Sequence, residues 1–511
     1  MTIEFSARSS KMLGRALARN EERANLILAI FSGEGLTGYA LEADQLTNGL
    51  LSRRMAHHDF DAKSDKVMVI DTDLSVEGLD RIILVGLGAR SKLTRSGLRS
   101  ALVEAFESAR DSAHSKHLVF PLIDTDLRGL TVEDFAETVA SYAVLMDYEI
   151  NHQKTREESK TERTHLQSMS ILTADWALSA TKRGMNRGKL IAEATCKARD
   201  MVNEPSETMN PAKLARIAKE IADASNGTIT CKVYGKKAIT KLGMNGFLAV
   251  NEGSIDEPQL IDLTFTAAKK DAPTLGLIGK GVTFDAGGLG IKDGTNMKNM
   301  KNDMGGAAAV LATMSLLAAL KPSINVRAVI AATDNLVDAN SFRPGRIITT
   351  MSGLTVQVDH TDAEGRLTLC DALTYLQQNG VNQIIDLATL TGAVEEALGN
   401  YITGVFGNDK KFTRSLLHAA ERAGEEMWEM PMTEHHRDLN KCAMADLTND
   451  GANPGHIAAA WFLREFVKEG TSWIHLDIAG TSFRTEEIGV DPEGATGVGV
   501  RTLVELILNL E

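Results

Sequence analysis

Along the whole chain, short apolar runs alternate with segments whose apolar residues recur every three or four positions. That is the pattern of strands alternating with helices. Within the first 165 residues, 81–88 (RIILVGLG) predicts a buried strand and 93–110 a helix after it. Beyond Leu166 the strand candidates are 260–265, 274–279, 325–332, 383–388 and 473–479. Several are nearly continuous apolar runs, as expected of strands covered by helices on both faces. Residues 304–320 are apolar and Ala-rich up to Lys321-Pro322, which predicts a buried core helix. Residues 367–378 carry Leu369, Leu373 and Leu376 at i, i+4 and i+7 and stop at Asn379-Gly380. The expected fold is α/β with two domains: a smaller N-terminal α/β domain, and a larger C-terminal three-layer domain with a mainly parallel central sheet. We place the N-terminal domain at 1–165, a linker region at 166–190 and the catalytic domain at 191–511. The mixed-charge run 154–163 (KTREESKTER) reads as a solvated linker or exposed helix marking the boundary.

Composition agrees with a folded, core-forming chain. The 511 residues are 43% hydrophobic and 24% charged, which excludes a disordered or fibrous protein. A formal charge of −13 argues against a broad nucleic-acid or acidic-membrane footprint. Cys196, Cys231, Cys370 and Cys442 form no C-x-x-C pair and read as reduced thiols. The first residues lack the apolar stretch of a signal peptide, and no run of 18 apolar residues occurs. The expectation is a cytoplasmic protein without a membrane partner.

Candidate chemistry gathers in two segments. The strand at 81–88 ends in G-x-G, but Ser91 stands where a dinucleotide fingerprint needs its third glycine, so an ordinary turn is expected. Gly279-Lys280 lacks the remaining P-loop positions as well. The first rich segment runs from Lys280 through Asp285, Gly287, Gly288 and Lys292 to Asp303 and Gly306; the second is Asp362-Ala-Glu364-Gly-Arg366. Both follow strands, where loops of such folds collect ligands. In an extended stretch Asp362, Glu364 and Arg366 face one side, which is equally the pattern of an exposed ion-pair ladder. Asp285 also suits a turn, and Asp303 a helix N-cap. Yet four carboxylates at strand ends repel one another unless cations neutralise them; two lysines and an arginine do part of this, and divalent metals do it better. Two metals roughly 3.5–4 Å apart activate water and polarise a carbonyl, the chemistry of a hydrolase. No H-E-x-x-H or G-x-S-x-G motif offers another route.

At these residues the chain resembles the leucyl aminopeptidase family of dinuclear metallopeptidases. The family signature N-T-D-A-E-G-R-L stands here as His360-Thr-Asp-Ala-Glu-Gly-Arg-Leu367. Further matching blocks are Asn203-Glu-Pro205, GKGVTFD-x-GG, Asp303-Met-x-Gly-Ala-Ala-Ala, Arg343-Pro-Gly345, Ala388-Thr-Leu-Thr-Gly-Ala393, His475-Leu-Asp-Ile-Ala-Gly480 and Gly494-Ala-Thr-Gly497. The resemblance implies two divalent ions, Mn²⁺ or Zn²⁺, bridged by Asp285 and Glu364. Asp362 would complete the exchangeable site, and Lys280 and Asp303 the tighter one. It implies that Lys292 polarises the scissile carbonyl and that Arg366 holds a bicarbonate acting as general base toward a metal-bridging water. Met300, Thr389, Leu390 and Gly392 would line the pocket for the N-terminal side chain, leucine-like by preference. Peptides with a free N-terminus would be the substrates and a homohexamer the assembly. His360, in place of the usual Asn, either orients the Asp362 loop or is a tolerated neighbour. His456 stands where relatives have a small residue. The alternatives are a family member with a mainly structural or DNA-binding role, or another two-metal hydrolase such as a phosphoesterase.

Overall fold

The computed structural model describes residues 3–9, 12–18, 22–64, 66–72, 76–110, 116–122, 129–150 and 165–510. Its contacts divide the chain into two units, Met1–Glu193 with Glu487–Asp491 and Ala194–Glu486 with Pro492–Glu511.

In the first unit, six short apolar runs become strands: β1 (Glu4–Ser9), β2 (Ala24–Ile30), β3 (Val67–Asp71), β4 (Leu79–Gly86), β5 (His117–Pro121) and β6 (Ser168–Thr173). They form one sheet in the order β1-β6-β5-β2-β4-β3, parallel except for β3. The helices Arg95–Arg110 and Val132–Asp147 cover it, burying Leu98, Leu102, Phe106, Phe135 and Val139 against Ile27, Ile83 and Phe120. Thr131 and Asp134 cap the second helix reciprocally. The expected strand at 81–88 is therefore present, and its helix begins two residues late because Arg90–Lys92 forms a 3₁₀ turn. Sterics explain both glycines of the G-x-G: a Cβ on Gly86 would lie 2.0 Å from the Lys63 carbonyl oxygen, and Gly88 has φ +67°. Part of the 166–190 segment, expected as linker, is strand β6, and another part opens the helix Leu178–Asn203. A six-residue strand buried in mid-sheet leaves too short a pattern to separate from a linker. The charged run 154–163 lies outside the described residues.

The second unit is built on an eight-stranded sheet. Its strands are β7 (Ile229–Tyr234), β8 (Gln259–Phe265), β9 (Thr274–Asp285), β10 (Asn325–Asn335), β13 (Gln383–Ala388), β14 (Thr403–Gly407), β15 (Met427–Glu429) and β17 (Ser472–Asp477). A small sheet of β11 (Ile347–Thr349), β12 (Thr355–Gln357) and β16 (Leu447–Thr448) stands apart. The large sheet runs β15-β14-β17-β13-β9-β10-β8-β7, with a parallel centre from β17 to β10 and antiparallel neighbours at β8, β7 and β14. Helices Gly305–Leu320, Pro211–Asp223 and Val500–Asn509 pack together in one layer, and Gly365–Gln378, Asn245–Val250 and Gly455–Glu465 in another. This is the expected three-layer α/β arrangement.

The helix Gly305–Leu320 is apolar on every side because it is buried almost all round. Segment 300–320 has the length and apolarity of a membrane span (hydropathy 1.6), but 78% of its most apolar window is buried in the fold. Two glycines let it press on the sheet: a Cβ on Gly306 would lie 2.1 Å from the Leu387 carbonyl oxygen, and one on Gly279 would lie 2.6 Å from Ala307 Cα. On the other side, Leu367, Leu369, Leu373 and Leu376 pack with Ile278, Val329 and Ile384. Each such side chain contributes roughly 1.5–3 kcal/mol by leaving water.

Candidate metal centre

Strand β9 runs six residues past its predicted end, through Lys280 to Asp285, because this stretch continues to pair with β10. The ladder slips there. Val282 pairs with Thr333, but the next pair is Asp285 with Asn335, so β9 carries one extra residue. Residues five apart on a regular strand face opposite sides. The bulge resets the alternation and lets Lys280 and Asp285 converge.

Around them, Lys280 Nζ lies 2.6 Å from Asp303 Oδ1, 2.8 Å from Glu364 Oε1 and 2.9 Å from the Thr389 carbonyl oxygen. Lys292, on the loop after β9, places Nζ 2.9 Å from Asp285 Oδ2 and pairs also with Asp362 Oδ1. Lys280, Asp285, Asp303 and Glu364 are almost wholly buried, while Lys292 and Asp362 are partly open. Thr389 Oγ1 donates to Asp303 Oδ1 at 2.8 Å, so this residue belongs to the charged cluster itself. Leu390 lies beside Lys280: the Cβ position of Gly365 is 3.0 Å from Leu390 Cδ1 and 2.6 Å from Lys280 Cε. Met300 and Gly392 fall on the flanking turns, Met300–Asn302 and the start of Gly392–Leu398, outside this bonded set.

Two expectations are corrected. The stretch 362–366 is not extended: Asp362 sits in a turn, Glu364 has helical φ/ψ (−77°, −36°), and Arg366 lies in the first turn of Gly365–Gln378. The carboxylates meet because a turn folds into a helix, held from outside the segment, and no strand alternation is involved. Asp303 is likewise no N-cap. The helix is preceded by Met304 without a side-chain cap, and the Asp303 carboxylate turns to Lys280. Asp285 does accept the Gly287 N–H at 2.9 Å, the turn bond foreseen for it, while also facing Lys292.

The electrostatics show an excess of acid. Burial opposes the charge on Lys280, but Asp303, Glu364 and Asp285 outweigh it and hold the ammonium well above its ordinary value. Burial likewise opposes Lys292, and Asp285, Glu364 and Asp362 overcome it. Burial and the neighbouring carboxylates also push Asp303, Glu364 and Asp362 upward, against the pull of the lysines. Lysines and carboxyls shift upward together for one reason: four acids crowd around two cations.

A divalent ion fits this donor set. One oxygen each from Asp285, Asp303 and Glu364 lie within 4.8 Å of one another. Oxygens at about 2.0–2.2 Å from one ion stand up to about 4.4 Å apart, so a small closure suffices. Among the described residues Asp303 Oδ2 has no hydrogen-bond partner, an orphan that an ion would satisfy.

Residues not singled out from the sequence hold the frame. Asn335 Nδ2 donates to Asp285 Oδ1 (2.8 Å) and to the Thr361 carbonyl (3.1 Å). Thr361 Oγ1 donates to the Gly287 carbonyl and accepts from the Gly290 N–H, both at 2.7 Å. Asp477 accepts from Thr391 Oγ1 (2.6 Å) and from the Leu390 N–H (3.2 Å), fixing the loop after β13. Asn449 binds Asp359, His360 and Ala363, and its carbonyl accepts from Arg366 Nη1 at 2.7 Å. Polar residues at strand ends, such as Asn335 after β10's apolar run, were the available signal. His360 Nδ1 accepts the Asp362 N–H at 3.1 Å, so it does orient that turn. His456 is buried with its ring 6.2 Å from that of Phe406, a packing role.

Comparison with known proteins agrees with this geometry. The profile "Cytosol aminopeptidase family, catalytic domain" matches residues 196–504, and "Cytosol aminopeptidase family, N-terminal domain" matches 27–157. A probable cytosol aminopeptidase of Alkaliphilus oremlandii (strain OhILAs) is 37% identical over 489 residues, covering 95% of this chain and 96% of the relative. One from Bacillus subtilis (strain 168) is 36% identical over 494 residues, covering 96% and 97%. Among solved structures, a mutant of tomato leucine aminopeptidase superposes with a TM-score of 0.85 at 34% identity, covering 100% of this chain and 97% of that one. The bottromycin maturation enzyme BotP in complex with Mn gives 0.82 at 31% identity, covering 95% and 98%. With both domains matched and the acidic cluster assembled, the chain is a member of the cytosol aminopeptidase family, metal-dependent exopeptidases also called leucyl aminopeptidases.

Proposed function

We propose that this chain releases N-terminal residues, leucine-like ones preferentially, from peptides with a free amine. In this reading two divalent ions, Mn²⁺ or Zn²⁺, are held by Lys280, Asp285, Asp303, Asp362 and Glu364. The observation that carries it is the crowd of four carboxylates, three of them buried, around only two lysines. When bound, such ions acidify water and polarise a carbonyl. Lys280 would hold an ion only as a neutral amine, its proton leaving to solvent when the dication takes over the neutralising of the carboxylates, as metal binding requires of its ligands. Lys292 would stabilise the oxyanion that develops on the scissile carbonyl; its being partly open while tethered to Asp285 and Asp362 supports this. Arg366 is buried with one Nη1 spent on Asn449, and its Nε has no hydrogen-bond partner among the described residues. Its planar fork suits a bicarbonate that serves as general base. Thr389, Leu390, Gly392 and Met300 would line the pocket for the substrate's N-terminal side chain, and a Met wall adapts to leucine-like groups. The domain limits 1–165 and 191–511, a cytoplasmic location and a homohexameric assembly belong to the same proposal.

The test is a panel of aminoacyl p-nitroanilides, assayed after chelation and reloading with Mn²⁺ or Zn²⁺ separately. Leucyl substrate should be turned over only by reloaded protein. Glu364→Ala should abolish turnover while leaving the protein folded. Cleavage of phosphate esters instead of leucyl p-nitroanilide, or turnover by metal-loaded Glu364→Ala, would overturn the reading.

A further inference from the structure

We propose that Asn449 is a positioning residue that sets the metal-binding turn and Arg366 in register before any ion arrives. The inference rests on the reading of Asp362 and Glu364 as metal ligands. Asn449 follows β16, whose pairing with β12 anchors it, and its own N–H donates to the Gln357 carbonyl at 3.0 Å. The side chain is wholly buried. Its Oδ1 accepts the N–H groups of Asp359 (2.8 Å) and His360 (3.3 Å), and its Nδ2 donates to the carbonyls of His360 (2.7 Å) and Ala363 (3.2 Å). A side-chain amide has two donors and two acceptor lone pairs, so every one is spent on a five-residue stretch some 90 positions away in the sequence. The bonds to His360 and Ala363 bracket Asp362 and reach the peptide that joins Ala363 to Glu364. The Asn449 main-chain carbonyl takes Arg366 Nη1. One residue thus ties both acidic ligands and the guanidinium to the same fixed point, and buried amides satisfied this completely are rigid.

A purely structural asparagine would matter for stability alone. A positioning residue predicts a loss of metal affinity in protein that still folds, because supporting contacts of this kind typically cost about 10–100-fold when removed. Mn²⁺ is titrated calorimetrically into metal-free wild type, Asn449→Ala and Asn449→Leu, with circular dichroism and thermal melting to establish folding. The expected result is Mn²⁺ binding weakened about 10–100-fold in both variants, together with a lower kcat, a reduced response to bicarbonate and an unchanged KM. Folded variants that bind Mn²⁺ as tightly as wild type overturn the inference. Wild type that binds no Mn²⁺ overturns instead the reading of the site on which it rests. A second measurement needs no variant: hydrogen exchange in the peptide spanning 359–363 of the full-length wild type. Protection already present without Mn²⁺ supports Asn449 as the organiser. Protection that arises only on adding Mn²⁺ makes the ion the organiser and sinks the proposal, and this experiment decides alone if neither variant folds.

Discussion

Asp371 gives a pH-dependent readout of the helix that carries Arg366. Its carboxyl is wholly buried, with Oδ2 accepting the Phe247 N–H at 3.0 Å and Oδ1 the Met351 N–H at 2.8 Å. Burial pushes its pKa up to about 7, against the pull of those backbone donors. In an unfolded chain an Asp titrates near 3.9. The folded state therefore keeps its proton through roughly three pH units in which the unfolded state has lost it. At about 1.4 kcal/mol per unit, this makes about 4 kcal/mol of stability. The contribution is complete below about pH 4 and is lost as pH rises through about 7. About 1.5 kcal/mol is gone by pH 5, which leaves nearly 3 kcal/mol to disappear between pH 5 and 8. In Asp371→Asn nothing ionises, so the slope vanishes. The new NH₂ facing a backbone donor costs about 1–3 kcal/mol at every pH. Urea unfolding of the metal-free wild type and variant at pH 5, 6, 7 and 8, followed by tryptophan fluorescence, isolates the effect, since all other titrating groups are common to both. Curves that run parallel across this range would refute the reasoning.

Arg366→Met should lower kcat about 10²- to 10⁴-fold, the usual scale of general-base catalysis, and abolish stimulation by bicarbonate while Mn²⁺ affinity by calorimetry stays the same. Persisting bicarbonate stimulation in this variant contradicts the role given to the arginine. Gly365→Ala would place a Cβ 2.6 Å from Lys280 Cε and 2.9 Å from its Nζ. With Lys280 walled in on all sides, Mn²⁺ binding should weaken by about tenfold or more; an unchanged calorimetric isotherm would show that the lysine can move aside.

Elements whose pattern is long or uniform were readable directly. Residues 383–388 form β13 as expected, and the apolar stretch 304–320 is a core helix starting at Gly305. What escaped has a physical reason in each case. The extension of β9 is broken up by Lys280, Gly281, Thr283 and Asp285, so hydropathy ends at Gly279 while the hydrogen-bond ladder does not. Over only five residues, an extended reading of Asp362–Arg366 and a turn entering a helix fit the same spacing. Asn449 bonds this turn at His360 and Ala363, and within Leu447-Thr-Asn-Asp-Gly it looks like any turn residue. The ligand candidates were legible because charge is rarely buried without partners. Their supporting amides and hydroxyls, Asn335, Thr361 and Asn449, carry no charge to betray them.

The extra residue in β9 makes the interval from Lys280 to Asp285 a matter of parity. Deleting any one of Val282, Thr283 or Phe284 would give the strand an unbroken ladder with β10, a better sheet by every local criterion. The same deletion would shorten the interval to four, which on a regular strand still sets the aspartate on the lysine's side, so the loss of the bulge and the loss of the residue cancel. What parts the two side chains is regular pairing over the present interval of five. The irregularity that looks like a flaw in the strand is thus the correction that an odd interval needs if its two ends are to face one way.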